Sequence, residues 1–164
     1  MLRLIKNILG KTIKFIYRMT YKLIPTHKKT VLFIAFHGRG YSDNPRAIYE
    51  YMRQQDQFKD YRFIWAIKHH KKKNITIENA KVIEYFSIPY FFYLARSQYW
   101  KANCKLPMYV LKKKNQIYLQ TWHGTPLKKL AFDIEVPEGT TFYRSGMNEE
   151  MMHETYAQDV KKYN

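Results

Sequence analysis

A chain of 164 residues with 46% hydrophobic and 17% aromatic content can bury a core of its own, which excludes disorder for the bulk of it. Its 29 Lys and Arg against 13 Asp and Glu leave a formal charge of +16, an excess that points to a polyanionic partner: nucleic acid, an anionic membrane surface or phosphate-rich substrates. The single Cys104 excludes an internal disulfide framework, and no apolar run approaches the roughly 20 residues that a spanning helix requires.

Residues Leu2 to Ile24 are predicted as an amphipathic helix ended by Pro25. Ile5, Leu9, Ile13, Ile16 and Leu23 share one side at helical spacing, and Lys11, Lys14, Arg18 and Lys22 the other. No acidic residue precedes Asp43. A cationic stripe opposite an apolar face suits a helix lying in an anionic bilayer surface. It also suits a helix packed on the domain with its lysines in water, but nothing acidic balances those lysines, so the membrane surface is the favoured expectation. The segment lacks the unbroken apolar core and small-residue cleavage site of a signal peptide.

Thr26 to Thr30 read as a basic linker, and Val31-Leu-Phe-Ile-Ala-Phe36 as a buried parallel strand. His37 to Tyr41 is a glycine-bearing loop, after which Ser42 or Asn44 can cap a helix running to about Gln55. Tyr61–Ile67 is the second strand, His69 to Asn74 a charged turn, and Lys81–Tyr85 the third strand. A short helix over Ile88–Ala95 follows, then strands at Gln98–Ala102 and Gln116–Trp122, and helices from Thr125 to Leu130 and from Asn148 to about Tyr163. Strands alternating with helical segments predict a Rossmann-like α/β domain over residues 30–164, behind a membrane-surface helix over residues 1–25.

Two stretches stand where a parallel sheet binds ligands. In Tyr118-Leu-Gln-Thr-Trp-His-Gly-Thr-Pro-Leu127 a strand stops at His-Gly and a helix starts at Thr-Pro, holding an imidazole at the carboxyl edge. Gly124 permits the turn, Thr125 is an N-cap and Pro126 suits the first helical position. The spacing fits a general base at His123 and a structural histidine alike. In His37-Gly-Arg-Gly-Tyr-Ser42, backbone amides and the following helix start can hold a phosphate, although there is neither a full dinucleotide fingerprint nor a Walker lysine. His37 reads equally as a loop residue. No Cys/His spacing suggests a metal, and Trp65, Trp100, Tyr118 and Trp122 read as core aromatics.

Trp122-His-Gly-Thr-Pro-Leu-Lys128 resembles the hallmark of the CDP-glycerol glycerophosphotransferase family, bacterial enzymes that prime and polymerise teichoic acids. Gly38-Arg-Gly-Tyr-Ser-Asp-Asn-Pro-Arg-Ala-Ile-Tyr-Glu-Tyr51 looks like the amino-terminal phrase of that family, and Ala95-Arg-Ser-Gln-Tyr-Trp-Lys-Ala-Asn103 like its middle segment. The three phrases stand in the family's order.

The resemblance implies the first half of a GT-B-type transferase that moves glycerol phosphate from CDP-glycerol to a lipid-linked teichoic acid acceptor, releasing CMP. It implies His123 as general base on the acceptor hydroxyl. Gly38, Arg39, Gly40, Ser42, Asn44, Arg46, Gly124, Thr125 and Lys128 are the implied substrate contacts, with no metal and no cofactor. The family's second, nucleotide-binding half lies beyond the phrases matched here, so this chain alone is expected to be inactive. The expected location is peripheral, on the cytoplasmic face of the bacterial membrane. A CDP-ribitol-using homologue shares these phrases. The rivals from other classes are a non-catalytic remnant that binds membrane or anionic polymer, and a basic nucleic-acid binder. No recognised RNA-binding phrase supports the last, and nucleic acid is not expected as a partner.

Overall fold

The computed structural model describes residues 2–69, 74–122, 133–135 and 146–163. The chain forms two compact units, Met1–His123 with Asn164, and Gly124–Tyr163.

In the first unit the elements run α1 (Leu2–Thr20), β1 (His27–Ile34), α2 (Asp43–Arg53), a 3-10 turn (Asp56–Phe58), β2 (Arg62–Ile67), β3 (Ala80–Glu84), α3 (Ile88–Arg96), β4 (Ser97–Ala102) and β5 (Ile117–Gln120). The five strands form one sheet in the order β3-β2-β1-β4-β5, every pair parallel. The Rossmann-like α/β fold expected from the sequence is the fold found, with a helix ahead of the sheet.

The strand order explains the layers. From β1 the chain crosses to β2 on one side, whereas from β3 it returns past β1 to β4 on the other. Right-handed crossovers in opposite directions put α2 and α3 on opposite faces. On the α2 face, Val31, Phe33, Ala35, Phe63, Trp65 and Ile67 pack with Tyr49 and Met52 in one buried cluster. Phe33 stacks on Trp65 with centroids 5.1 Å apart, and Tyr41 closes on the same indole edge-on at 4.8 Å. Leu32, Ile34, Ile64, Ala66 and Trp100, all fully or almost fully buried, alternate with these residues and face the other way.

The join between α3 and β4 has no loop. Arg96 ends the helix and Ser97 begins the strand. The helix's last carbonyls would be orphaned there. Buried Gln116 meets them: its amide donates to Leu94 O at 2.8 Å and to Ser97 O at 2.6 Å, while Lys113 Nζ donates to Ala95 O at 2.8 Å.

In the strands and at the sheet edge, two sequence expectations change. The basic linker at 26–30 is largely strand, since His27 to Thr30 extend β1 against Ser97 and Arg62 across a register irregularity. Trp122 is not a core aromatic: it is 40% exposed, unlike the fully buried Trp65, Trp100 and Tyr118.

Helix α1 divides its residues differently from the predicted two stripes. Tyr17 is buried, donates its hydroxyl to Leu111 O at 3.0 Å and packs on Phe91 at 5.3 Å. Burial raises its phenol well above the ordinary range. Lys14, assigned to the solvent stripe, lies 4.6 Å from the Tyr109 ring centroid and 5.4 Å from that of Phe86. An ammonium is attracted to an aromatic face, so it need not turn to water. Phe15, Ile16, Met19 and Leu23 stay exposed. No helix among the described residues is long and apolar enough to cross a membrane.

In the second unit, α4 (Glu149–Val160) is capped by Asn148, whose side chain accepts from Met151 N–H at 2.9 Å. Glu149 and Glu150 sit at its positive end, where carboxylates are favoured.

Candidate functional site at the carboxyl edge of the sheet

Open parallel sheets bind ligands beyond the carboxyl ends of the strands, where the strand order reverses. Here that point lies between β1 and β4. Three described segments meet at that edge: residues 35–42 after β1, Asn103 and Cys104 after β4, and Thr121-Trp122 after β5.

The first segment is tightly wound. Phe36, His37 and Gly38 are all left-handed, at φ 45°, 56° and 80°. The conformation costs roughly 1–2 kcal/mol for each residue bearing a Cβ, so neighbouring contacts must enforce it. They are hydrogen bonds. Phe36 N–H donates to Asn103 Oδ1 at 2.8 Å, His37 N–H to Cys104 Sγ at 3.1 Å, and Gly38 N–H to Ala35 O at 2.8 Å. Arg39 N–H donates to Ala35 O at 3.1 Å. Four consecutive amides are thus spent inside the protein, so none of residues 36 to 39 offers its N–H to a phosphate. Any anion held at this stretch must be met by side chains.

Asn103 is the keystone of the arrangement. It is fully buried; its carbonyl takes the Phe36 amide while its Nδ2 donates to the Asp43 carboxylate at the start of α2. One side chain therefore links β4, the β1 loop and α2. Ser42 is the N-cap residue of α2, yet its hydroxyl makes no cap bond. Asn44 does not cap either: its Nδ2 donates to Trp122 O at 3.1 Å. Trp122 is itself left-handed at φ 51°, and its N–H donates to Gln120 Oε1 at 3.2 Å. The helix start thereby clasps the chain at the residue before His123. Arg46 lies over the Tyr41 ring at 5.0 Å with Glu50 4.0 Å away, and Gly40 has open space where a Cβ would stand.

His37 is pushed below the ordinary imidazole value, first by partial burial and then by the positive charges of Lys68 and Arg39. Burial raises the Cys104 thiol, which suits its role as acceptor for the His37 amide. Gly38 is buried against Tyr85, and its carbonyl accepts from Lys68 N–H at 2.7 Å. The edge therefore gathers Gly38, Arg39, Ser42, Asn44 and Arg46 from the sequence reading, together with Asn103, Lys68 and Tyr85, which that reading did not assign. Asn103 did carry a signal: it is the polar residue that ends the middle phrase, directly after a buried strand. His123, Gly124, Thr125 and Lys128 lie outside the described residues. Among the described residues no three His, Cys, Asp or Glu are grouped to hold a metal.

Fold and edge together define a Rossmann-like domain with a cationic carboxyl edge suited to anionic ligands. The family described as CDP-Glycerol:Poly(glycerophosphate) glycerophosphotransferase matches residues 15–163, and the chain belongs to it. It is 40% identical over 129 residues to a teichoic acid poly(glycerol phosphate) polymerase of Bacillus subtilis (strain 168), a match covering 79% of this chain and 17% of that protein. A teichoic acid glycerol-phosphate transferase of Staphylococcus aureus (strain NCTC 8325 / PS 47) is 33% identical over 98% of this chain and 42% of its own length. A solved structure of the wall teichoic acid polymerase TagF superposes with a TM-score of 0.83 at 33% identity, covering 99% of this chain and 38% of that one. This chain therefore spans less than half the length of these relatives.

Proposed function

We propose that this chain supplies the acceptor-side half of a transferase that moves glycerol phosphate from CDP-glycerol onto a lipid-linked teichoic acid acceptor, with CMP leaving. Family membership supports the reaction class, and a TagF variant has been solved with CDPG. The observation that supports this reading best is the Asn44 clasp on Trp122 O, because it ties the residue before His123 to the carboxyl edge.

His123 acts as general base in this reading. Imidazole titrates near neutral pH and accepts the acceptor hydroxyl proton as the oxygen attacks the β-phosphate. The family resemblance makes Gly124, Thr125 and Lys128 substrate contacts, with Lys128 offsetting phosphate charge. The exposed apolar residues of α1, next to a groove of about 260 Å³ lined by Ile13, Ile16, Tyr17, Ile88 and Phe92 among others, support a peripheral position on a membrane surface, and Lys11, Arg18 and Lys22 on the same helix favour an anionic, cytoplasmic one.

The test is His123→Ala in a transferase of full family length carrying this half, assayed with labelled CDP-glycerol and a lipid-linked acceptor. Loss of a general base lowers the rate about 100- to 10,000-fold. His153→Ala serves as control and should change little. Near-normal transfer by His123→Ala, or a loss explained by unfolding in matched melting curves, refutes the assignment. The 164-residue chain alone should show no transfer, because donor and acceptor must be held together in line.

A further inference from the structure

We propose that the side chains of Arg39, Lys68 and His37, at the carboxyl ends of β1 and β2, form a phosphate-binding subsite for a phosphodiester of the acceptor chain. The acceptor's identity rests on the function proposed above; the subsite rests on its own geometry.

Placement comes first. Lys68 follows β2 directly, and its N–H donates to Gly38 O at 2.7 Å, which fixes it beside the β1 loop. Its ammonium stands 5.0 Å from the Tyr85 ring centroid. Tyr85 also underlies Gly38: an ideal Cβ there would lie 2.8 Å from Tyr85 Cβ. Tyr85 is thus a shared floor, with the loop on one part and the Lys68 ammonium over another.

Charge comes second. His37 feels the positive charges of both Lys68 and Arg39, so its imidazole stands in the field of two cations. Like charges brought together raise the energy of an unliganded site and lower it again when an anion binds. Among the described residues neither Lys68 nor His37 has a carboxylate within ion-pair distance. The Glu84 carboxylate accepts from His69 N–H at 2.7 Å, and the Asp43 carboxylate accepts from Asn103. Cys104, also at this edge, has its sulfur on the His37 amide.

The loop's hydrogen bonding supplies the third step. With the amides of residues 36 to 39 all spent, this stretch of the loop cannot cradle a phosphate by its backbone donors in the manner of a glycine-rich nucleotide loop. It can hold a phosphodiester by charged side chains, which tolerate the variable spacing of a flexible polymer better than a fixed amide nest does. The guanidinium of Arg39 offers a two-pronged contact to phosphate oxygens and Lys68 a point charge.

The experiment titrates the 164-residue chain with a short glycerol-phosphate oligomer, inorganic phosphate and CDP-glycerol, following the histidine ring signals and the binding heat. The oligomer should bind, with the His37 titration moving upward as it does. Lys68→Gln should weaken oligomer binding about tenfold or more, and Lys68→Arg should retain it. Lys29→Gln, at the opposite end of β1, should leave it unchanged. Four results overturn the subsite: no oligomer binding, Lys68→Gln binding as tightly as the parent, an equal loss in Lys29→Gln, or CDP-glycerol moving the His37 signal as strongly as the oligomer. None of these depends on transfer activity, so the subsite can fail while the His123 reading stands, and the reverse.

Discussion

Replacing Gly38 by Ala tests the backbone of the site at a single atom. The residue sits at φ 80°, where a side chain costs roughly 1–2 kcal/mol. The added methyl would lie 2.8 Å from both Cβ and Cγ of Tyr85. Those atoms are close to the backbone of a tyrosine buried beside β3, so they cannot swing aside as a flexible tip would, and forcing room costs about 1–3 kcal/mol more. The two contributions sum to about 2–5 kcal/mol, a large part of the roughly 5–15 kcal/mol that holds a domain folded. For a chain of this size each kcal/mol lowers the melting temperature by about 2–4 °C, so circular dichroism should record a fall on the order of 5–20 °C. Gly40→Ala is the internal control. It has no left-handed angle and nothing within 4 Å of the added Cβ, and should melt within about 2 °C of the parent. Equal melting of Gly38→Ala and the parent would refute both the strain and the contact with Tyr85.

Asn103→Leu strands the Phe36 amide and removes the donor to Asp43, each loss costing about 1–3 kcal/mol, so urea denaturation should show a fall of roughly 2–5 kcal/mol; a change below about 1 kcal/mol refutes the keystone role. Because His37 titrates below its ordinary value of 6.5 when folded, the unfolded chain takes up a proton that the folded one resists. Stability should be complete above about pH 6.5 and decline as pH falls through the depressed folded value, and His37→Gln should flatten that slope; an unchanged slope refutes it. On the membrane reading, Gln at Lys11, Arg18 and Lys22 should weaken binding to anionic vesicles by about 1 kcal/mol per residue, roughly 100-fold together, while equal binding to neutral and anionic vesicles would defeat the electrostatic account. Lys14 is left out of that set because it packs against Tyr109 and Phe86.

The strands were legible because buried parallel strands are apolar runs bounded by turns, and β2, β3 and β4 fall within a residue or two of their expected bounds. What escaped was set by pairing. His27 to Thr30 look like a basic linker alone, but backbone donors beside a neighbouring strand are recruited whatever their side chains. Lys14 was misassigned for the opposite reason: charge predicts water, and only the tertiary placement of Phe86 and Tyr109 supplies a surface that competes with it. In the site, the motif residues could be picked from local phrases, while Asn103 and Lys68 depend on which strands become neighbours. Periodicity cannot report that β4 lies beside β1.

The loopless join of α3 to β4 leaves the molecule without slack along one line. Arg96 hands over to Ser97, β4 runs between β1 and β5, and Asn103 follows at its far end. A strand rises about 3.3 Å per residue and alternates faces, so one extra residue at the join would turn every β4 side chain over or carry Asn103 a step past Phe36. Helix α3 cannot absorb the insertion, because an extra residue there rotates its buried face by about 100°. Length polymorphism in relatives of this protein should therefore collect in the segment between β4 and β5 and be missing at positions 96 and 97. The reach of the site from the base of the sheet is in effect a ruler, counted out in residues from Ser97.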